Sequence, residues 1–205
     1  NYQVESYLGK SIIHCFSKEY DQSIRCATNA IQIERKWAKA YYIRGLSRYK
    51  LGELEKAQKD FQKTHALDPE HQITIICLGN CWLRKGNYAN ALDYFNQVDP
   101  SDRDFCFAAN NRGVAYYYLG DMQSAKNDFS LAKKLNPELM IPLINLKKVE
   151  KNPFSQNSLD QNSNNKNQIK LPGIELLFSE LEDHPFDDHS EMIIYDNLID
   201  MYIRI

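Results

Sequence analysis

Ser23, Ala57, Ala91 and Ala125 stand 34 residues apart along the 205-residue chain, and no other feature of the sequence limits its possible folds as strongly. A fixed period of this length marks a supersecondary unit that recurs and stacks on its own copies. The residues around each small position recur with it. From Ala38 to Pro69 the chain reads AKAYYIRGLSRYKLGELEKAQKDFQKTHALDP, with Gly45, Leu51-Gly52, Ala57, Phe61 and Pro69 in order. The skeleton returns as Gly79, Gly86, Tyr88, Ala91 and Phe95, and again as Gly113, Leu119-Gly120, Ala125, Phe129 and Pro137. An earlier, more degenerate copy has Ser11, Tyr20, Ser23, Ala27 and Ala30.

Each residue type has a physical reason to recur. Gly45, Gly79 and Gly113 fall on the first helix of a pair, where the absence of a side chain lets the partner helix come close. Ala57, Ala91 and Ala125 do the same from the second helix. Leu51-Gly52 and Leu119-Gly120 end a helix with a glycine free to take positive φ before a polar turn. Phe61, Phe95 and Phe129 fill the wedge between hairpins, while Asp68-Pro69 and Asn136-Pro137 stop the second helix. A single hairpin exposes an apolar face, and stacking three or more copies buries it.

This skeleton resembles that of the tetratricopeptide-repeat (TPR) family over roughly residues 4–139. The resemblance implies an all-α fold: a right-handed TPR solenoid of four helical hairpins over about 4–37, 38–71, 72–105 and 106–139. A capping helix at about 139–151 completes an expected domain spanning 4–151. Two departures are expected to matter. Asp99-Pro100 should shorten the second helix of the third repeat by about a turn, leaving Ser101 or Asp102 to cap the next helix. In the first repeat Ser11 and His14 replace the usual glycine and aromatic, as expected of a terminal repeat or of a chain cut away from upstream repeats. Residues 152–170, rich in Asn, Gln and Ser, read as a disordered linker. Residues 171–205 regain apolar character and read as two short amphipathic helices, around 172–182 and 188–203.

Composition narrows the function classes. A net charge of −2 exerts no global pull on nucleic acid or an anionic membrane. No stretch approaches the roughly 20 apolar residues of a membrane span. The chain opens Asn1-Tyr2-Gln3 without an initiator Met, so a fragment or processed form is expected. Cys15, Cys26, Cys77, Cys81 and Cys106 are odd in number and lack a framework spacing, which suggests reduced thiols and a cytoplasmic setting. Cys77 and Cys81 lie one helical turn apart, yet no second Cys/His pair at ligand spacing accompanies them, so no metal is expected. His184, Asp187, Asp188 and His189 cluster in a short turn-like segment with no α/β scaffold beside it, and read as surface. His14 reads as a satisfied half-buried residue, and Trp37 and Trp82 as packing residues. Tyr116-Tyr117-Tyr118 lacks the interleaved basic stripe of a nucleic-acid face. With no phosphate loop, nucleophile elbow or zinc signature, no catalytic residue and no cofactor is expected.

What the resemblance implies is binding. Family members hold peptides on the concave face made by first helices. Carried over, that face would include Leu8, Ile12, Lys39, Tyr42, Leu46, Tyr49, Ile73, Ile76, Asn80, Leu83, Phe107, Asn111, Val114 and Tyr118. About a third of these are expected to be ordinary inter-helix contacts. The face is more apolar than charged, which suits an amphipathic or apolar segment of a partner protein, as expected for a scaffold or adaptor. The chain's own 171–205 segment, or that of a second copy, is an alternative occupant. The best-known family role grips the acidic C-terminus of Hsp70 or Hsp90 with two Lys, two Asn and one Arg. In this chain the three possible frames hold Leu8, Ile12, Ile43, Ile73 and Cys77; Tyr42, Leu46, Cys77, Phe107 and Asn111; or Ile76, Asn80, Asn111, Ile141 and Asn145. None supplies a cation, so a co-chaperone clamp is disfavoured. A third possibility is the targeting region of an enzyme whose catalytic domain lies outside these residues.

Overall fold

The computed structural model describes residues 2–151, which form nine α-helices. They are α1 (Tyr2–Phe16), α2 (Tyr20–Ile33), α3 (Ala38–Lys50), α4 (Leu54–Leu67), α5 (Gln72–Arg84), α6 (Tyr88–Phe95), α7 (Phe105–Tyr118), α8 (Met122–Leu135) and α9 (Met140–Lys151). The first eight pair as hairpins, α1–α2, α3–α4, α5–α6 and α7–α8. Each second helix also packs on the first helix of the next hairpin. The first helices additionally meet each other, α1 with α3 and α5 with α7, so their row is the more tightly gathered and forms the inner side of the stack. The linker, the tail helices and the His184–His189 cluster read from the sequence lie outside the described residues.

The four hairpin turns close identically. Glu19 N donates to His14 O (2.8 Å), Glu53 N to Arg48 O (2.9 Å), Asn87 N to Trp82 O (3.0 Å) and Asp121 N to Tyr116 O (3.0 Å). This long-range bond is the Schellman closure, which needs a left-handed residue just before its donor. Gly52 (φ 77°), Gly86 (φ 72°) and Gly120 (φ 85°) supply it in three hairpins. In the first hairpin Lys18 takes φ 59°, a conformation that costs a side-chain-bearing residue about 1–2 kcal/mol.

Helix spacing is set by pairs sixteen residues apart. A Cβ on Gly45 would come within 2.7 Å of the Phe61 ring, on Gly79 within 2.4 Å of Phe95, and on Gly113 within 2.8 Å of Phe129. All three phenylalanines are buried, so each ring is seated against bare glycine backbone. The first hairpin has Ser11 and Ala27 at these two places, both inaccessible to solvent. Its helices are tied by hydroxyls: Ser11 Oγ donates to Ser23 O (2.8 Å), Ser23 Oγ donates to Ser11 O (2.8 Å), and Ser47 Oγ of α3 donates to Ser23 Oγ (2.8 Å). The loss of glycine at Ser11 is thus matched by loss of the ring that would demand it.

On the outer side, arginines bridge successive second helices. Arg44 binds Asp60 through Nε (3.0 Å) and Nη2 (2.7 Å), and Arg112 binds Asp128 in the same bidentate way (2.8 Å each). Arg48 adds a second bond to Asp60 (2.7 Å). Both aspartates are nearly buried, so these pairs have strict geometric demands.

The third hairpin departs further than the sequence suggests. Its second helix, α6, has 8 residues against 14 in α2, α4 and α8, a shortfall of more than the expected single turn. The expected cap at Ser101 or Asp102 is also displaced. Asp99 Oδ1 captures both Ser101 N and Ser101 Oγ (2.8 Å each), and Asp102 Oδ1 accepts from Asp104 N (2.8 Å). These side chains build the connecting turns, and α7 begins only at Phe105 after Asp104. At the far end α9 lays Val149 and Leu146 against Ala125 and Phe129.

Candidate functional site

The expected binding face divides into buried and accessible residues. Leu8, Tyr42, Leu46, Tyr49, Ile73, Ile76, Asn80 and Phe107 are buried, whereas Ile12, Lys39, Leu83, Asn111, Val114 and Tyr118 are half-buried. More of the face is therefore ordinary packing than the third expected. Tyr42 is 0% exposed, packed against Phe61 and edge-on to His71 at 4.9 Å, so it belongs to the core.

A row of carboxamides crosses the later first helices. Asn111 Nδ2 on α7 donates to Asn80 Oδ1 on α5 (2.7 Å). Asn110 Nδ2 donates to Asn111 Oδ1 (3.0 Å), and Asn145 Nδ2 on α9 donates to Asn110 Oδ1 (3.1 Å). A carboxamide carries two donors and an oxygen with two lone pairs, so the half-buried Asn111 retains hydrogen-bonding capacity beyond this row. Asn80 and Asn111 are among the residues that the resemblance implies for the face; Asn110 is not, and it joins the row through its bonds to Asn111 and Asn145. Arg84 is a second residue the sequence reading missed. Its guanidinium lies 4.7 Å above the Tyr49 ring and donates to Tyr49 O (2.7 Å), placing a cation beside Leu83.

Towards the turns the aromatics stack. Tyr118 lies parallel to Tyr88 at 4.8 Å and edge-on to Tyr117 at 5.5 Å. Burial pushes the Tyr118 hydroxyl up to about 12. The Tyr116–Tyr118 run is thereby a packing feature; Trp37 stands half-buried at the N-cap of α3, and Trp82 lines an open pocket on the outer side.

Nucleophilic chemistry finds little support here. Burial raises the Cys77 thiol far above its usual range and pushes Cys81 up to about 12, so both persist as thiols. His14 pairs with Glu19 (2.5 Å). Burial lowers His71 to about 4 and raises Asp104 to about 6, but the two lie in different connections, after α4 and after α6. Among the described residues no group of three or more His, Cys, Asp or Glu could hold a metal ion. No helix among them is long and apolar enough to cross a membrane.

Comparison with known proteins agrees with this geometry. Two segments, residues 38–71 and 108–139, match the tetratricopeptide repeat. Anaphase-promoting complex subunit 3 of Schizosaccharomyces pombe is 24% identical over 125 residues, covering 61% of this chain and 19% of that protein. The lipoprotein NlpI homolog of Haemophilus influenzae is 33% identical over 92 residues, covering 45% of this chain and 29% of that protein. The chain thus spans under a third of the length of these curated relatives. Among solved structures, pilF of Pseudomonas aeruginosa superposes with a TM-score of 0.67 at 14% identity, over 72% of this chain and 68% of that one. The first TPR of Spaghetti (RPAP3) bound to an HSP90 peptide gives 0.52 at 22% identity, over 56% of this chain and 90% of that one. At these identities the structures bear on the fold alone.

Proposed function

Because the chain is a tetratricopeptide-repeat protein, we propose that it works as a scaffold or adaptor, holding an extended segment of a partner protein along the inner row of first helices. The observation that carries this reading is the carboxamide row Asn80–Asn111–Asn110–Asn145 set beside the half-buried Leu83, Val114 and Tyr118. An extended segment presents one N–H and one C=O per residue, and both must be matched if it is to leave water. Carboxamides match either group, while the apolar neighbours take alternate side chains. Because amides read backbone in preference to charge, the partner is recognised through an apolar or amphipathic segment. The role is binding rather than catalysis, and five free cysteines favour a cytoplasmic setting.

The test is affinity capture from the source cell, read by mass spectrometry, with the intact chain and with an Asn111→Ala, Val114→Asp variant matched in helicity and melting. A defined partner set retained by the first and lost by the second is the expected result. Equal recovery by both would refute the inner-face reading. Hsp70 or Hsp90 dominating the capture, with competition by an acidic C-terminal peptide, would replace it with the co-chaperone reading.

A further inference from the structure

The outer side of the third hairpin is open where its neighbours are closed. In the second hairpin Arg44 runs from Thr28 on α2 (Nη1 to Oγ1, 3.3 Å) to Asp60 on α4. In the fourth, Arg112 runs from Asn96 at the end of α6 (Nη1 to Oδ1, 3.0 Å) to Asp128 on α8. Each arginine stands one residue before a close-approach glycine. One repeat away from both, the third hairpin holds Leu78 in place of the arginine and Tyr94 in place of the aspartate. Gln62 stands in place of Thr28 and Asn96. No guanidinium spans this gap, and a pocket of about 570 Å³ lies between α4, α5 and α6.

Ile75, Leu78 and Trp82 line it from the side of α5 opposite to Ile76, Asn80 and Leu83, so it is separate from the inner face. Gln62, Asn90 and Asp93 supply polar groups; no lysine or arginine lines the pocket, and Asp93 is its one carboxylate. His65, another lining residue, buries Nδ1 without a hydrogen-bond partner.

We propose that this pocket receives an arginine from a surface segment of a partner protein, completing from outside the bridge that Arg44 and Arg112 complete from within. The chemistry of the walls selects that side chain. A guanidinium is flat, stacks on the Trp82 and Tyr94 rings, and offers five N–H donors. Carboxamide oxygens and the Asp93 carboxylate are there to accept them. A lysine brings a compact, strongly hydrated charge that stacks less well, and an acidic side chain meets Asp93, while the nearby Lys85, 5.1 Å from the Trp82 ring, is already paired with Glu55 (3.0 Å). The pocket is roomier than one side chain, so an apolar residue beside the arginine shares it, over walls whose deeper members, Ile75 and Leu78, are already buried.

The inference is tested on the intact chain by NMR titration, following the Trp82 indole N–H, assigned by its loss in Trp82→Phe. The probes are blocked dipeptides, N-acetyl-Leu-Arg amide and its Leu-Lys and Leu-Glu counterparts. The arginine probe is expected to shift the Trp82 signal saturably, with the lysine probe about tenfold weaker and the glutamate probe inactive. Asp93→Asn, an exposed substitution that leaves packing intact, is expected to weaken the arginine probe about tenfold. Leu78→Arg combined with Tyr94→Asp rebuilds the internal bridge and is expected to abolish binding. If that double variant loses helicity, the probe series and Asp93→Asn decide. A Trp82 signal unmoved by the arginine probe, equal response to the glutamate probe, or full affinity in Asp93→Asn would each overturn the proposal. Asn111→Ala is expected to leave this site unaffected, which keeps it distinct from the inner-face reading.

Discussion

The first hairpin and the three that follow share a turn closure but not a packing device. In α3–α4, α5–α6 and α7–α8 a phenylalanine ring occupies the space above a glycine; in α1–α2 a serine and an alanine stand there and hydroxyls tie the helices. The difference teaches that the two positions are coupled, although their combined volume is smaller in the first hairpin. Glycine is required only where its partner is aromatic, and both can change together. The inner face divides along the chain as well. Ile12 and Leu46 occupy the early hairpins at the repeat position that holds Asn80 in the third, so the carboxamide row is confined to α5, α7 and α9.

The sharpest way to break this contrast is to remove a ring. Phe95→Ala gives the third hairpin the alanine of the first without its serine ties, and should cost about 4 kcal/mol in urea unfolding. Next is Gly79→Val, which places methyl groups where even a Cβ would stand 2.4 Å from Phe95. Overpacking of this kind should cost about 3 kcal/mol, with the loss falling on the third hairpin in hydrogen exchange. Ala27→Phe forces a ring against Ser11 and should cost about 2 kcal/mol. Adding Ser11→Gly should recover about 1 kcal/mol of that loss, a coupling absent if the two positions act independently. The smallest effect is Lys18→Gly. Relief of the left-handed strain, less the extra freedom glycine has when unfolded, should raise stability by about 0.5 kcal/mol. The same exchange at Ser17 should give no gain.

Much of this fold was legible because the repeat's requirements are local. A glycine, an aromatic sixteen residues later and a turn glycine each report a volume or a dihedral that the chain must satisfy where they stand. What was not legible depends on side chains meeting across helices. The carboxamide row joins residues 31 and 35 positions apart, and no spacing rule says that Asn110 turns towards Asn111 and Asn145. Tyr42 and Ile76 fell on the face that the family resemblance implies, yet both are buried, and Tyr42 packs against Phe61 of α4 and His71. The cap expected at Ser101 or Asp102 failed because Asp99 and Asp102 spend their oxygens on their own turns. The outer pocket left a trace in the sequence, since Arg44, Leu78 and Arg112 occupy equivalent places and the middle one breaks the series.

The central claim is that carboxamides on the later first helices grip a partner's backbone. It is tested most directly by following the side-chain N–H₂ signals of Asn80, Asn111 and Asn145 while titrating the first captured partner into the intact chain. The account predicts saturable shifts at Asn111 and Asn145, lost together with binding in Asn111→Ala. Saturation of the partner with these signals unmoved would contradict it.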